Sequence, residues 1–146
     1  MEVDFLTLAD AAQVVGDKLF MLGGGWNFVR APQFPLQHQM AIAVGFSVEW
    51  LETNRRHDFR IEMRNEDGGQ KIADLAGQFE AGRPAGIPTG AEQKVLLASS
   101  FVVQLERPGQ YVVRLFLNGQ GVKRQSFMAI STQVTSTVPP PKAPER

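Results

Sequence analysis

Apolar and polar residues alternate with a period of two along most of the chain, most regularly between residues 40 and 50. There the even positions carry large apolar side chains, whereas the odd positions carry mainly small ones. The even positions are Met40, Ile42, Val44, Phe46, Val48 and Trp50. Because successive side chains of a β-strand point to opposite faces, this segment is predicted to be a strand with one face in the core.

Further segments show the same alternation and are separated by turn-forming residues. The predicted strands cover 57–66, 94–105, 110–117 and 122–130, with weaker signals over 2–9, 18–22, 26–30 and 72–81. Asn118-Gly119 gives the strongest hairpin signal, because both residues accept the positive φ angles of a two-residue turn. The chain is therefore predicted to be all-β, an antiparallel β-sandwich of about eight strands.

The first thirty residues depart from this regular alternation. Residues 10–15 are consistent with a helical turn for which Asp10 would be the N-cap. Gly23-Gly24-Gly25 separates two strand-like stretches. A glycine run of this kind indicates a bulge, which here would direct the side chain of Trp26.

Length and hydropathy favour a single domain. The chain has 146 residues, 43% of them hydrophobic, which is enough for one domain with a core, predicted over 1–131. Residues 132–146 are rich in Pro, Ser and Thr and are predicted to form a mobile tail. No apolar stretch approaches the roughly 18 residues of a membrane helix and no secretory leader is visible, so a cytoplasmic location without membrane contact is expected.

Charge and cysteine content narrow the classes of partner. The 15 basic residues balance the 15 acidic ones, and a formal net charge of zero argues against a nucleic-acid partner. The chain has no cysteine, which removes disulfides, thiolate nucleophiles and sulfur-based metal sites. We therefore expect no cofactor.

The stretch Arg107-Pro108-Gly109-Gln110-Tyr111, followed by Val113 and Leu115, resembles the penultimate strand of immunoglobulin-like and fibronectin-like sandwiches. In those folds a tyrosine at the corner holds the adjacent loop through its hydroxyl group. The resemblance implies an immunoglobulin-like sandwich in which Tyr111 has this role. It implies nothing about function.

The opening of the chain resembles a family of short bacterial proteins of unknown function. The resemblance rests on the segments MEVDFL (1–6), LADAA (8–12), GDKL (16–19) and GGGW (23–26), and continues at Gly82-Arg83-Pro84, Gly90, Glu92-Gln93 and the Pro108-Gly109 region. It covers most of residues 1–130 and excludes the tail. It implies a bacterial stand-alone domain and supplies no activity, ligand or catalytic residue.

The two histidines do not form a catalytic or metal-binding group. A hairpin formed by strands 40–50 and 57–66 would pair His57 near Trp50 and leave His38 beyond its far end. Both histidines are therefore interpreted as surface or strand-end residues. No metal site is expected.

The carboxylates beside Trp50 offer a second candidate chemistry. Glu49 and Glu52 flank the indole, and a carboxylate next to an aromatic ring can bind a sugar or act as an acid of raised pKa. A solvated strand end, with Trp50 closing the core, explains the same residues more simply. The chain is predicted not to be an enzyme.

Three features are candidates for binding a partner or ligand. The loop 82–90 is stiffened by two prolines and is expected to present Arg83, Pro84 and Ile87 on a fixed surface. Trp26 and Trp50 are candidate stacking platforms. Phe116, together with Val102 and Val112, is expected to make an exposed sheet face apolar.

Two functions remain open on these observations. The first is a non-catalytic protein-interaction or self-assembly module that uses the Phe116 surface to bind a protein partner or another copy. The alternative is a domain that binds a small ligand or carbohydrate through exposed tryptophans and loop residues.

Overall fold

The computed structural model describes residues 1–67, 69–133 and 143–144. Across these residues the chain forms nine strands and one short 3-10 turn, which confirms the all-β prediction and adds one strand to the expected number. The strands are β1 (Glu2–Val15), β2 (Lys18–Gly24), β3 (Phe28–Ala31), β4 (Leu36–Val48), β5 (Arg56–Asn65), β6 (Lys71–Glu80), β7 (Gln93–Leu105), β8 (Gly109–Leu117) and β9 (Gln120–Ser131). None of the helical structure in this part of the chain is long and apolar enough to cross a membrane.

The strands form two sheets. The first sheet has four antiparallel strands in the order β2-β1-β4-β7, and the second has five in the order β3-β9-β8-β5-β6. Within the second sheet β3 runs parallel to β9, so the prediction of a purely antiparallel fold is wrong at this edge. β3 enters the second sheet as a crossover from the first, and a crossover, unlike a hairpin, permits parallel pairing.

The core lies between the two sheets. The even-numbered residues of β4 from Met40 to Val48 are buried there, as the alternation predicts. Phe46 on β4 stacks on Phe79 on β6, with 4.9 Å between the ring centroids. Because these two residues come from different sheets, the contact joins the two layers.

The N-terminal region differs from its prediction at two points. Residues 10–15 continue β1 and do not form a helical turn, because Ala11–Val15 pair with β2 and so satisfy their backbone groups across the ladder. Gly23-Gly24-Gly25 does not form a bulge within one strand. It closes β2 and begins the crossover to β3, which belongs to the other sheet.

Strands 40–50 and 57–66 do not form the hairpin considered above, because β4 lies in the first sheet and β5 in the second. The chain passes between the sheets through a 3-10 turn at Trp50–Glu52. An alternation of period two shows which side chains face the core, but it does not show which sheet a strand joins.

β9 ends at Ser131. Of the predicted tail, 132–146, only residues 132–133 and 143–144 belong to the described residues, so the prediction of a mobile tail lies outside them.

Candidate functional site

Tyr111 anchors the start of β8. Its side chain is buried, and its hydroxyl donates a hydrogen bond of 2.6 Å to the carbonyl oxygen of Arg107. Burial raises the pKa of the Tyr111 phenol above its ordinary value, so the hydroxyl stays protonated and able to donate. This is the contact that the resemblance to sandwich folds implied, and it positions the strand that carries Phe116.

Phe116 lies on the outer surface of the second sheet. Tyr111, Val113, Leu115 and Leu117 point into the core, and the alternate residues Arg114 and Phe116 point outward. Arg60 on β5 and Arg124 on β9 are on the same side, at positions paired with Phe116 and Arg114. We call the surface formed by Arg60, Arg114, Phe116 and Arg124 the Phe116 face.

Two depressions flank Phe116. One, of about 680 Å³, lies toward β6, where it is lined by Ala76, Gly77 and Gln78. The other, of about 570 Å³, lies toward β9 and is lined by Val122 and by basic side chains. Because Phe116 lines both depressions, a ligand that lies across this face contacts the phenyl ring.

The β6 side of the Phe116 face is electrostatically compensated. Arg60 lies 2.7 Å from Asp74 and 3.1 Å from Glu62, and Lys71 lies 2.9 Å from Asp74. Hydrogen bonds from Arg60 and then Lys71 hold the pKa of the Asp74 carboxyl well below its usual range. The carboxylates of this network stay ionised at neutral pH, and their negative charges largely cancel the positive charges of Arg60 and Lys71. The network therefore attracts a charged partner only weakly.

The β9 side carries excess positive charge. Arg114 is directly opposite Arg124 across the β8–β9 ladder, an arrangement that like charges disfavour. Arg124 lies 3.4 Å from Glu66. Among the residues that the structure describes, Arg114 and Lys123 have no carboxylate oxygen within 4.0 Å. The carboxylate of neighbouring Glu62 forms ion pairs with other basic side chains, those of Arg60, Arg64 and Lys71.

The predicted residues Arg83 and Trp50 are in contact at one end of the molecule. The Arg83 guanidinium lies 4.0 Å from the centroid of the Trp50 ring. Its Nε donates to the Thr53 hydroxyl at 2.6 Å, and its terminal nitrogen donates to the Trp50 carbonyl at 2.9 Å. Arg83 therefore secures the loop between β6 and β7 to the 3-10 turn and covers one face of the indole.

The other loop residues are less closely held. Pro84 is exposed and Ile87 is half-buried, and a backbone hydrogen bond of 3.3 Å from Ile87 to the Pro84 carbonyl closes a turn between them. The structure thus brings Arg83 and Trp50 together. It leaves Pro84 and Ile87 in the same loop, and it places Phe116 on a separate surface.

Trp26 is half-buried and packs against the core. Its ring makes edge-on contacts with His38 and Phe127, at centroid distances of 5.7 and 5.9 Å. The indole Nε1 and the His38 Nε2 are both buried without a hydrogen-bond partner in the described residues. Two aromatic neighbours leave little of this ring for stacking on a ligand.

His57 lies at the start of β5, as the strand-end interpretation expects, but it is buried and not on the surface. Its Nδ1 lies 3.1 Å from the Asn118 amide nitrogen and its Nε2 lies 2.8 Å from the Glu52 carbonyl oxygen. Both ring nitrogens are thus used by structural hydrogen bonds, and neither is left to act as a base.

Glu52 does not have the raised pKa of a catalytic acid. A hydrogen bond from the amino group of Met1 at 2.6 Å lowers the pKa of its carboxyl. Throughout the described ranges, no three His, Asp or Glu side chains come together in a way that could hold a metal ion.

Sequence reasoning missed two features. The facing pair Arg114 and Arg124 arises from a β-bulge at Leu115–Phe116, whereas regular pairing from the Asn118-Gly119 turn would place Lys123 opposite Arg114.

Val112 and Val102 were expected to share the Phe116 surface. Val112 is buried, and Val102 lies on β7 in the other sheet.

These observations define an all-β protein of two packed sheets, with the charged Phe116 face on the outer surface of the second sheet. The chain belongs to a family of unknown function, DUF6941, whose model matches residues 4–130. The expectation of a family of unknown function is thereby confirmed.

No curated protein matches the chain. Among solved structures it is similar to the Pseudomonas fluorescens alkylpurine DNA glycosylase AlkC bound to DNA containing an abasic site analogue, at 10% sequence identity and a TM-score of 0.38. That match covers 85% of this chain and 30% of the glycosylase chain. A likeness of this degree carries no argument about function.

Proposed function

We propose that this protein is a non-catalytic interaction domain that binds an acidic segment of a partner protein on its Phe116 face. The observation that carries the proposal is the facing pair of Arg114 and Arg124 beside an outward phenyl ring. Two opposed guanidinium groups destabilise the free sheet, and a carboxylate that bridges them relieves their repulsion. Local arrangements that oppose stability concentrate at functional sites.

The chemistry of the surface favours a peptide as the partner. Arginine binds carboxylates through two parallel hydrogen bonds, and the depressions beside Phe116 accept apolar side chains from the same segment. The zero net charge of the chain and the carboxylates on the β6 side argue against a polyphosphate such as nucleic acid.

We further propose that the fold is an immunoglobulin-like sandwich. The order β9-β8-β5-β6 corresponds to strands G-F-C-C′ of the variable-type domain, and β1-β4-β7 corresponds to A-B-E. The Tyr111 hydrogen bond supports this assignment.

The absence of catalysis is part of the proposal. It is supported by the structural hydrogen bonds of both His57 nitrogens and by the lowered pKa of Glu52. The ligand-binding alternative loses support because Arg83 covers the Trp50 ring and Trp26 packs against His38 and Phe127.

Binding to a library of labelled peptides that vary in acidic and aromatic content tests the proposal by fluorescence anisotropy. We expect acidic peptides with an apolar residue to bind, with Arg114→Glu and Phe116→Glu each weakening affinity about tenfold or more, equivalent to about 1.4 kcal/mol. Binding is also expected to weaken as salt increases.

Arg55→Glu provides the matched control, because Arg55 is exposed, precedes β5 and is not one of the residues of the Phe116 face. It makes the same change in net charge. If Arg114→Glu and Arg55→Glu reduce binding equally, the contribution is one of overall charge and the proposed site is wrong.

A further inference from the structure

The hairpin formed by the end of β1 and by β2 exposes a concentration of apolar side chains. Of the eight large apolar side chains exposed in the described residues, four lie here: Val15 is 55% exposed, Phe20 53%, Met21 40% and Leu22 74%. Val15 pairs with Lys18, and Phe20 and Leu22 are the second and fourth residues after Lys18, so the three apolar side chains lie on one face of the hairpin.

β2 is also an edge strand with unused backbone groups. It ends the first sheet, and a two-residue turn at Gly16-Asp17, with both φ angles positive, joins it to β1. The hydrogen bond that closes such a turn makes Val15 and Lys18 a hydrogen-bonded pair. Because hydrogen-bonded pairs recur at every second position of an antiparallel ladder, Phe20 and Leu22 also direct their backbone N–H and C=O groups toward β1. The intervening residues Leu19 and Met21 direct their N–H and C=O groups away from the sheet.

β2 has little of the protection that usually keeps edge strands apart. Natural edges carry charges, proline or bulges that discourage pairing with another strand. In β2 the one charged residue is Lys18, at the end next to the turn, and the segment contains no proline. Its middle is a continuous run of Leu19, Phe20, Met21 and Leu22.

The exposed apolar surface on one face of the hairpin is a compact patch. Val15, Phe20 and Leu22 together expose on the order of 300 Å² of mainly apolar surface, which lies within the range of the largest patch on a typical monomer. Edge-to-edge pairing places Phe20 and Leu22 of the two copies side by side, so the interface lies at the small end of specific associations and the dimer is a weak one.

We infer that two copies of this chain associate through β2, as antiparallel strands related by a two-fold axis at Phe20. In this register Leu19 of each copy pairs with Met21 of the other, so the free backbone groups of both residues are used. Phe20 faces its own symmetry mate, and Gly23, whose φ of 59° departs from strand geometry, stays outside the pairing. The first sheets of the two copies become one continuous sheet.

This inference goes beyond the proposed function, because β2 belongs to the first sheet and the Phe116 face to the second. Light scattering after size-exclusion chromatography of the full chain, from 1 to 100 µM protein (about the range of weak dimers), measures the oligomeric state. We expect a dimer that Phe20→Lys dissociates, with at least a tenfold rise in its dissociation constant.

Leu51→Lys is the matched control, because Leu51 is 77% exposed and lies far along the chain in the 3-10 turn. It is expected to leave the dimer intact, as is Phe116→Glu. Circular dichroism checks that each variant keeps its fold. A wild-type chain that stays monomeric at the highest concentration, or a dimer unaffected by Phe20→Lys, overturns the inference.

The absence of cysteine in the chain allows a second test that does not depend on weakening the dimer. Facing residues of a non-hydrogen-bonded antiparallel pair have Cα atoms about 4.5 Å apart, within the range of a disulfide. Single cysteines placed in turn at 19, 20, 21 and 22 are expected to give most oxidised dimer at position 20. Equal cross-linking at all four positions and at a cysteine at 51 contradicts the register.

Discussion

At the scale of single residues, the burial of His38 gives the protein a response to pH. His38 is half-buried, and burial lowers the pKa of its imidazole, an effect that Asp10 partly offsets. The unfolded chain therefore binds a proton at a higher pH than the folded chain does. The stability that follows is present above the unfolded pKa of about 6.5 and is lost as the pH falls through the folded-state value.

We predict that His38→Phe makes stability less dependent on pH between 7 and 5. The phenyl ring keeps the edge-on contact with Trp26, and the lost Nε2 has no hydrogen-bond partner in the described residues. Urea unfolding of both proteins at pH 7 and pH 5 measures the effect, because all other titrating groups are the same in the two proteins. A wild type and a variant that lose equal stability would show that His38 is not the source.

At the scale of elements, the β8–β9 hairpin depends on one side chain as well as on its turn. Asn118 and Gly119 have φ angles of 50° and 82°, which are those of the expected two-residue turn. The Asn118 amide also accepts a hydrogen bond from the backbone of Asp58 at 2.9 Å and contacts the Nδ1 of buried His57 at 3.1 Å. Asn118 thereby links the hairpin to β5.

We predict that Asn118→Gly destabilises the protein by about 1–3 kcal/mol, because it leaves the His57 nitrogen buried without a partner while the turn is kept. Asn118→Ala is expected to cost about 1 kcal/mol more, since alanine disfavours the positive φ. Chemical denaturation measures both. Asn54→Gly is the control, because Asn54 has a similar φ of 57° and the His57 ring forms its hydrogen bonds with Glu52 and Asn118 instead. Equal costs at Asn118 and Asn54 would refute the proposed role of the amide.

Sequence predicts those parts of this fold whose causes are local. The Asn118-Gly119 turn, the inward residues of β4 and the Tyr111 hydrogen bond follow from residue types within a few positions of one another. The assignment of strands to sheets does not follow from nearby residue types, because the alternation of apolar and polar residues is the same in either sheet. The hairpin considered for strands 40–50 and 57–66 does not form for this reason.

The candidate surfaces were partly predictable for the same reason. Phe116 has the outward parity of its strand and could be identified. The facing of Arg114 and Arg124 depends on a bulge, and the contact of Arg83 with Trp50 depends on how two distant connections meet. The exposure of Phe20 and Leu22 follows from β2 lying at a sheet edge, which residue types alone do not reveal.

At the scale of the whole molecule, the two proposed interactions occupy separate sheets. β2 is an edge of the first sheet, whereas the Phe116 face is the outer surface of the second. Pairing through β2 therefore leaves both Phe116 faces of a dimer accessible. A dimer of this kind has two sites for the same acidic segment, and binding to closely spaced copies of that segment becomes bivalent.

We predict that the dimer binds a dense layer of immobilised acidic peptide about 10²-fold more tightly than it binds the same peptide free in solution, because the second contact is intramolecular. Phe20→Lys is expected to lose this gain while keeping the solution affinity. Arg114→Glu is expected to lose both. Surface plasmon resonance at high and low peptide density, with anisotropy for the free peptide, separates the two effects. If Phe20→Lys matches the wild type on the dense layer, the two surfaces do not act together, because the gain in affinity requires two linked sites.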